Sequence, residues 1–269
     1  MSERPDVPLR AEFSVEVPGT PDQVWAALAT AGGISSWFLP TDIEEREGGA
    51  LLFHMGEDSS PGTVTGWDPP RRLAYAEPEW ARLAGQPDTP VTPMVSEFLV
   101  EARSGGTCVV RVVSSAFGTG ADWEREFFQD VVRYWKPFFD HQLRLYLGRY
   151  AGERATTVEV AANLPAGDGA AVRSAMARSL GVDAVGQPVE ALGLTGTVEE
   201  IGDPYLIVDV SEPVPGYVSF LGMDGGDGGA SAQIGAWLFG AGAEAFAAKA
   251  EPEWQAWLQQ LVVSEGSDR

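Results

Sequence analysis

The chain has 269 residues, 44% of them hydrophobic, and sets 39 acidic against 18 basic side chains for a formal charge of -21. That length suits one large domain or two ordinary ones, and the acid surplus, with no basic patch in either half, argues against nucleic acid and anionic lipid as partners. The lone cysteine, Cys108, excludes an intrachain disulfide; no apolar run nears the roughly 18 residues a bilayer requires, and MSERPDVPLR shows no signal peptide, so a cytoplasmic setting is expected.

Elements follow in chain order. AEFSVEV (11–17) alternates as a strand does, and Thr20-Pro21 caps a short helix over DQVWAALAT that Gly32 and Gly33 end. ISSWF (34–38) is a second helical turn. Strands are expected at 41–47, 50–55, 62–67 and 71–77. The Pro-rich run 77–93 reads as a mobile loop, after which MVSEFLVEA (94–102) and TCVVRVVSSAF (107–117) form a hairpin through Ser104-Gly105-Gly106.

The next segment is the most distinctive. Between Trp123 and Tyr150 lie nine of the chain's 27 aromatic residues. Trp123, Phe127, Val131, Tyr134, Phe138 and Leu145 recur at helical spacing, so a long helix with one apolar face is expected, bent at Pro137. Strands bounded by helices in this order make an α+β fold with an antiparallel sheet curved around that last helix.

After AGERA (151–155) the pattern restarts. TVEV (157–160) echoes SVEV (14–17), and GTVEEIGDPYLIVDVSEP (196–213) echoes GTVTGWDPPRRLAYAEP (62–78), with about nine residues lost between the two landmarks. The expectation is two tandem domains, 8–150 and 155–265. The second is smaller and degenerate, and closes on a shorter helix from Pro252 through Trp254, Trp257 and Leu261.

PDQVWAAL (21–28), ISSWF, GG-ALLFHM (48–55), GTVTGWDPPRRLAY (62–75), SEFLVEARSGGTCVVRVVSSAF (96–117) and the aromatic helix occur in an order that resembles the START-like, helix-grip superfamily known as SRPBCC. Within it the chain looks most like proteins related to the activator of the ninety-kilodalton heat-shock chaperone's ATPase. The resemblance implies a seven-stranded sheet gripping the last helix over a cavity, in a superfamily of lipid carriers, hormone receptors, polyketide cyclases and co-chaperones. Arg133-Tyr134-Trp135 stands where family members usually show GW.

Chemistry is hard to find in the sequence. His54 and His141 are the only histidines, and His54 alternates with Phe53 and Met55 so as to face away from the core. No histidine pair, HExxH, multi-cysteine spacing, phosphate loop or dinucleotide fingerprint occurs, so no catalytic residue, metal or cofactor is assigned. DGGDGG (224–229) reads as a hairpin turn.

A small hydrophobic ligand is the expected partner, bound without catalysis in a cavity of the first domain. Trp37, Phe53, Met55, Tyr75 and Phe98 would line it from one side, with Trp37 gating the mouth, and Phe127, Val131, Tyr134, Trp135 and Phe138 from the helix. Tyr75 and Tyr134 would supply the polar contacts. The same rings could instead fill the space themselves. The alternatives are a chaperone-linked or other protein–protein adaptor, and a cyclase-like or hydrolytic enzyme, which would need a titratable group inside.

Overall fold

The computed structural model describes residues 7–267 except 57, 90, 226 and 227, with the backbone alone for 264–267. The expected 224–229 turn therefore lies partly outside the described residues. Contacts divide the chain into two compact units, 1–153 and 154–269.

The first unit opens with β1 (Val7–Pro18) and α1 (Pro21–Ala29). Thr20 caps α1 as its composition suggests: the hydroxyl accepts from the Gln23 amide at 3.4 Å, and the Gln23 side chain accepts from the Thr20 amide at 2.9 Å. Gly32 and Gly33 do not end α1 but lie within α2 (Ala31–Ser35). A Cβ at Gly33 would stand 1.9 Å from the Ala26 carbonyl oxygen, so only glycine lets α2 turn back so closely on α1.

Strands β2 (Thr41–Ile43), β3 (Ala50–Met55), β4 (Asp58–Asp68) and β5 (Arg72–Glu77) follow. The strand expected over 41–47 stops at Ile43. The segment expected to be a mobile loop holds a helical turn, α3 (Trp80–Leu83). Trp80 is fully buried there, and its indole nitrogen donates to the Thr92 carbonyl at 2.9 Å. A large ring with its N–H satisfied fixes the segment that its prolines alone would leave loose.

Strands β6 (Met94–Ala102) and β7 (Thr107–Gly118) complete a seven-stranded antiparallel sheet in the order β1-β7-β6-β5-β4-β3-β2. The helix α4 (122–150) then runs to the end of the unit. Glu124 fastens its start: its two carboxylate oxygens accept from Thr119, Gly120 and Ala121, with backbone contacts of 2.8–3.1 Å.

Helix α4 is α-helical over Asp122–Asp130 but π-helical over Val131–Trp135, Phe138–Leu143 and Tyr146–Tyr150. Pro137 stands between the first two π segments. A π turn holds more residues than an α turn, so the inward stripe advances by four residues and not by 3.6. Val131, Phe139, Leu143 and Leu147 are buried in consequence, while Phe138 is only half-buried. Within the expected stripe Phe138 is corrected to Phe139 for this reason, while Val131, Tyr134 and Leu145 are buried as expected.

The second unit repeats the plan with fewer parts. It contains β8 (Thr156–Leu164), α5 (Gly169–Leu180), β9 (Pro188–Ala191), β10 (Leu194–Ile201) and β11 (Tyr205–Glu212). β12 (Gly216–Asp224), β13 (Ala230–Leu238) and α6 (Ala243–Ser267) follow. Its six-stranded sheet has the order β8-β13-β12-β11-β10-β9, matching the first sheet with one strand and the counterparts of the two short helices α2 and α3 removed. The repeated GTV falls on β4 and β10, and each strand breaks register just after it, between Val64 and Gly66 and between Val198 and Glu200. The architecture is α+β, a helix-grip fold in tandem with a reduced second copy. Pro252 lies inside α6 and does not begin it, so the closing helix is longer than its sequence suggests.

Candidate functional site

Aromatic rings converge in the first unit between the sheet, α2 and the middle of α4. Trp37 meets Phe139 edge-on at 4.8 Å between ring centres, and Phe139 touches Phe13 at 5.3 Å and Phe98 at 5.9 Å. Phe38 contacts Phe53 at 6.0 Å, Trp135 at 5.9 Å and Phe138 at 5.3 Å. Tyr75 lies between Phe53 at 5.5 Å and Phe98 at 5.6 Å. Edge-to-face and offset contacts of this kind each add modest attraction beyond burial, and together they lock ring orientations.

The seam among these rings measures about 20 Å³. That is room for one water, against several hundred Å³ in a pocket enclosing a drug-sized molecule. The cavity expected beneath the helix is therefore filled by its own lining. Trp37 is no gate at a mouth either, since it is 2% exposed and its indole nitrogen donates to the Ala27 carbonyl at 2.9 Å.

Of the residues expected at the site, Trp37, Phe53, Tyr75, Phe98 and Trp135 line the seam. Phe138 is held against Phe38 at its margin. Phe127 and Val131 belong to a separate cluster around Trp80, which the Phe127 ring meets at 5.0 Å. Tyr134 is buried outside the seam lining with the Arg133 guanidinium 5.2 Å from its ring centre, and Met55 is half-buried where β3 ends. Phe38 and Phe139 were missed. Phe38 follows Trp37 directly in ISSWF, and the π turns displaced Phe139 from the expected stripe.

The polar groups of the inner face were missed more completely. Ser96 and Ser114 face each other across β6 and β7 with hydroxyls 2.9 Å apart, and Ser96 also hydrogen-bonds the Tyr75 phenol. Burial, and then the nearby Glu77 carboxyl, push that phenol well above its ordinary range. Glu77 is 1% exposed; the Ser60 hydroxyl donates to its Oε1 at 2.6 Å, and burial raises its pKa from 4.5 to about 7. Its Oε2 has no hydrogen-bond partner among the described residues. The alternation of Leu73, Tyr75 and Glu77 along β5 was the available signal, since it turns all three to one face.

His54 lies on the surface as its alternation implies, 2.9 Å from Asp42. Among the described residues no three His, Cys, Asp or Glu side chains gather as metal ligands would, and no helix is long and apolar enough to cross a membrane. In the second unit an open furrow of about 540 Å³ lies between β8 and α6, lined by aliphatic residues with Asn163, Gln255 and Gln259. It is wider than the seam of the first unit but lacks its convergence of rings.

Residues 8–145 match the profile of the family described as polyketide cyclase / dehydrase and lipid transport. No curated protein matches the chain. Among solved structures, the protein MLL2253 from Mesorhizobium loti is similar at 22% identity over 52% of this chain and 98% of its own, with a TM-score of 0.44. The Aha1 dimer from Colwellia psychrerythraea is similar at 16% identity, covering 54% and 99% with a TM-score of 0.41. The di-domain ARO/CYC protein BexL from the BE-7585A biosynthetic pathway spans 96% of this chain and 95% of its own at 16% identity, with a TM-score of 0.43.

Proposed function

The chain belongs to the polyketide cyclase / dehydrase and lipid transport family, within the START-like helix-grip superfamily, and on that premise we propose that its first unit binds a small, flat hydrophobic molecule at the ring-lined seam. One observation carries the reading. Seven of the nine residues around the seam are aromatic: Trp37, Phe38, Phe53, Tyr75, Phe98, Trp135 and Phe139. Once the rings part, a planar ligand finds stacking partners there on every side.

At 20 Å³ the seam is closed, so binding requires the rings to part. Helix α4 supports such a movement. Its π segments flank and include the ring-bearing positions Trp135 and Phe139, and π segments occur frequently at functional sites. The closed form is then the ligand-free form, and the ligand selects the open one.

Fluorene, a rigid tricyclic hydrocarbon, tests this in the full chain. Binding quenches Trp37 and Trp135 emission and raises the melting temperature, because a ligand that binds only the folded state stabilises it by mass action. Absence of both effects, for fluorene and for its ketone fluorenone, would refute the reading. A response that persists unchanged when Phe139 and Phe98 are both replaced by Leu would place binding elsewhere, the furrow of the second unit included.

A further inference from the structure

Strand register arranges the inner face of the first sheet in rows. Phe13, Val112 and Phe98 align across β1, β7 and β6 and belong to the ring-lined side. The next row carries Ser114, Ser96 and Tyr75, a line of hydroxyls across β7, β6 and β5. Beyond it Met94 pairs with Glu77, and Met94 belongs to the apolar cluster around Trp80. Hydroxyls thus form a row between two apolar clusters, and Glu77 lies one row further, beside Met94 and next to the seam without lining it.

Two carboxylates in this unit are almost fully buried, and they differ in one respect. Glu124 directs both oxygens at hydrogen-bond donors of the α4 start, and its role is complete. Glu77 has Ser60 on Oε1 and, among the described residues, nothing on Oε2. A buried polar atom without a partner costs stability, so a leucine at this position would serve the fold better. The position is close to the seam. Ser60 stands directly across from Phe53, and Glu77 is two residues along β5 from Tyr75, a spacing of about 7 Å.

We infer that Glu77 is the polar contact of the ligand site, its Oε2–H donating to a carbonyl oxygen on an otherwise flat, apolar molecule that lies against Phe53 and Tyr75. The inference rests on the ligand reading given above and adds the chemical class of the ligand, an aromatic ketone. Ser60 fixes which oxygen is free, because its hydroxyl occupies Oε1 and leaves Oε2 to carry the proton. Burial supplies that proton by holding the carboxyl neutral to about pH 7. No arginine or lysine among the described residues pairs with Glu77, so the group stays a donor and not half of an ion pair.

Fluorenone and fluorene differ by one carbonyl on the same carbon frame, and their dissociation constants are compared by tryptophan quenching in the full chain near pH 6. Wild-type protein is expected to favour fluorenone by about fivefold, the worth of one buried neutral hydrogen bond. Glu77→Leu should bring that ratio to about one by weakening fluorenone and leaving fluorene within about twofold. Glu77→Gln should keep most of the preference, since its amide N–H can donate from the Oε2 position while its oxygen still accepts from Ser60. If the Leu variant does not fold, Glu77→Met makes the same comparison. Equal binding of the two compounds by wild-type protein, or an undiminished preference in the Leu or Met variant, would overturn this inference and leave the ligand reading standing. Binding of neither compound to wild-type protein would overturn both.

Discussion

Glu77 makes the stability of the first unit depend on pH in a direction opposite to that of most carboxylates. Exposed in the unfolded chain, it releases its proton near 4.5; in the folded chain burial holds the proton to about 7. Between those values the folded state carries the additional proton, so raising the pH pulls the equilibrium toward unfolding. The contribution is complete below about pH 4.5 and lost as pH rises through about 7, a change on the order of 3 kcal/mol. Replacing the carboxyl by an amide removes the titration and keeps the shape. Urea unfolding at several pH values should therefore show Glu77→Gln gaining on wild type as pH rises from about 4.5 to 7, with no further gain above that. A constant difference across the range would mean that Glu77 titrates alike folded and unfolded.

Helix α4 separates what periodicity reveals from what it hides. Its existence, its apolar face and its place at the end of the unit all follow from the sequence, because nine aromatic residues in one helix need a sheet to cover them. Its phase does not follow. Val131, Tyr134 and Leu145 are common to the expected stripe and the observed one, but just after Pro137 the π turns bring Phe139 inward in place of Phe138. That choice depends on packing against Phe13, Trp37 and Phe98, residues 40 or more positions away in the chain. Similar limits apply elsewhere. The seam residues on strands were legible from alternation, whereas the Trp80 anchor sat in a run whose prolines pointed to a loop, and Glu77 was overlooked because a carboxyl on an inner face contradicts its usual preference. The two phases make different predictions for mutants. Phe139→Ala should cost about 3–5 kcal/mol, as deletion of a buried ring does, and Phe138→Ala about half as much. Chemical denaturation of both variants decides it, and a larger loss at Phe138 would return the helix to the simple α-helical phase.

At the scale of the whole molecule the excess of acid dominates. Several exposed ion pairs offset it locally: Arg10 and Arg111 both reach Glu12, at 2.6 and 2.5 Å, and Arg72 reaches Glu97 at 2.5 Å. Such surface pairs contribute little each, about 0–1 kcal/mol, and salt weakens them. Against them stands the mutual repulsion of 21 uncompensated negative charges, which the compact state concentrates and salt relieves. The repulsion involves far more charges than the pairs, so screening it should win. At about pH 8 the melting temperature is expected to rise as sodium chloride goes from about 20 to 300 mM, the range over which the Debye length shrinks from roughly 20 to 6 Å. Near the isoelectric point of about 4.3 the net charge vanishes, and only the loss of ion pairs remains. There the same salt should leave the melting temperature flat or lower it slightly. Differential scanning calorimetry at the two pH values measures both responses in one protein, and a fall with salt at pH 8 would show that the Arg–Glu pairs, and not the net charge, govern how this surface bears on folding.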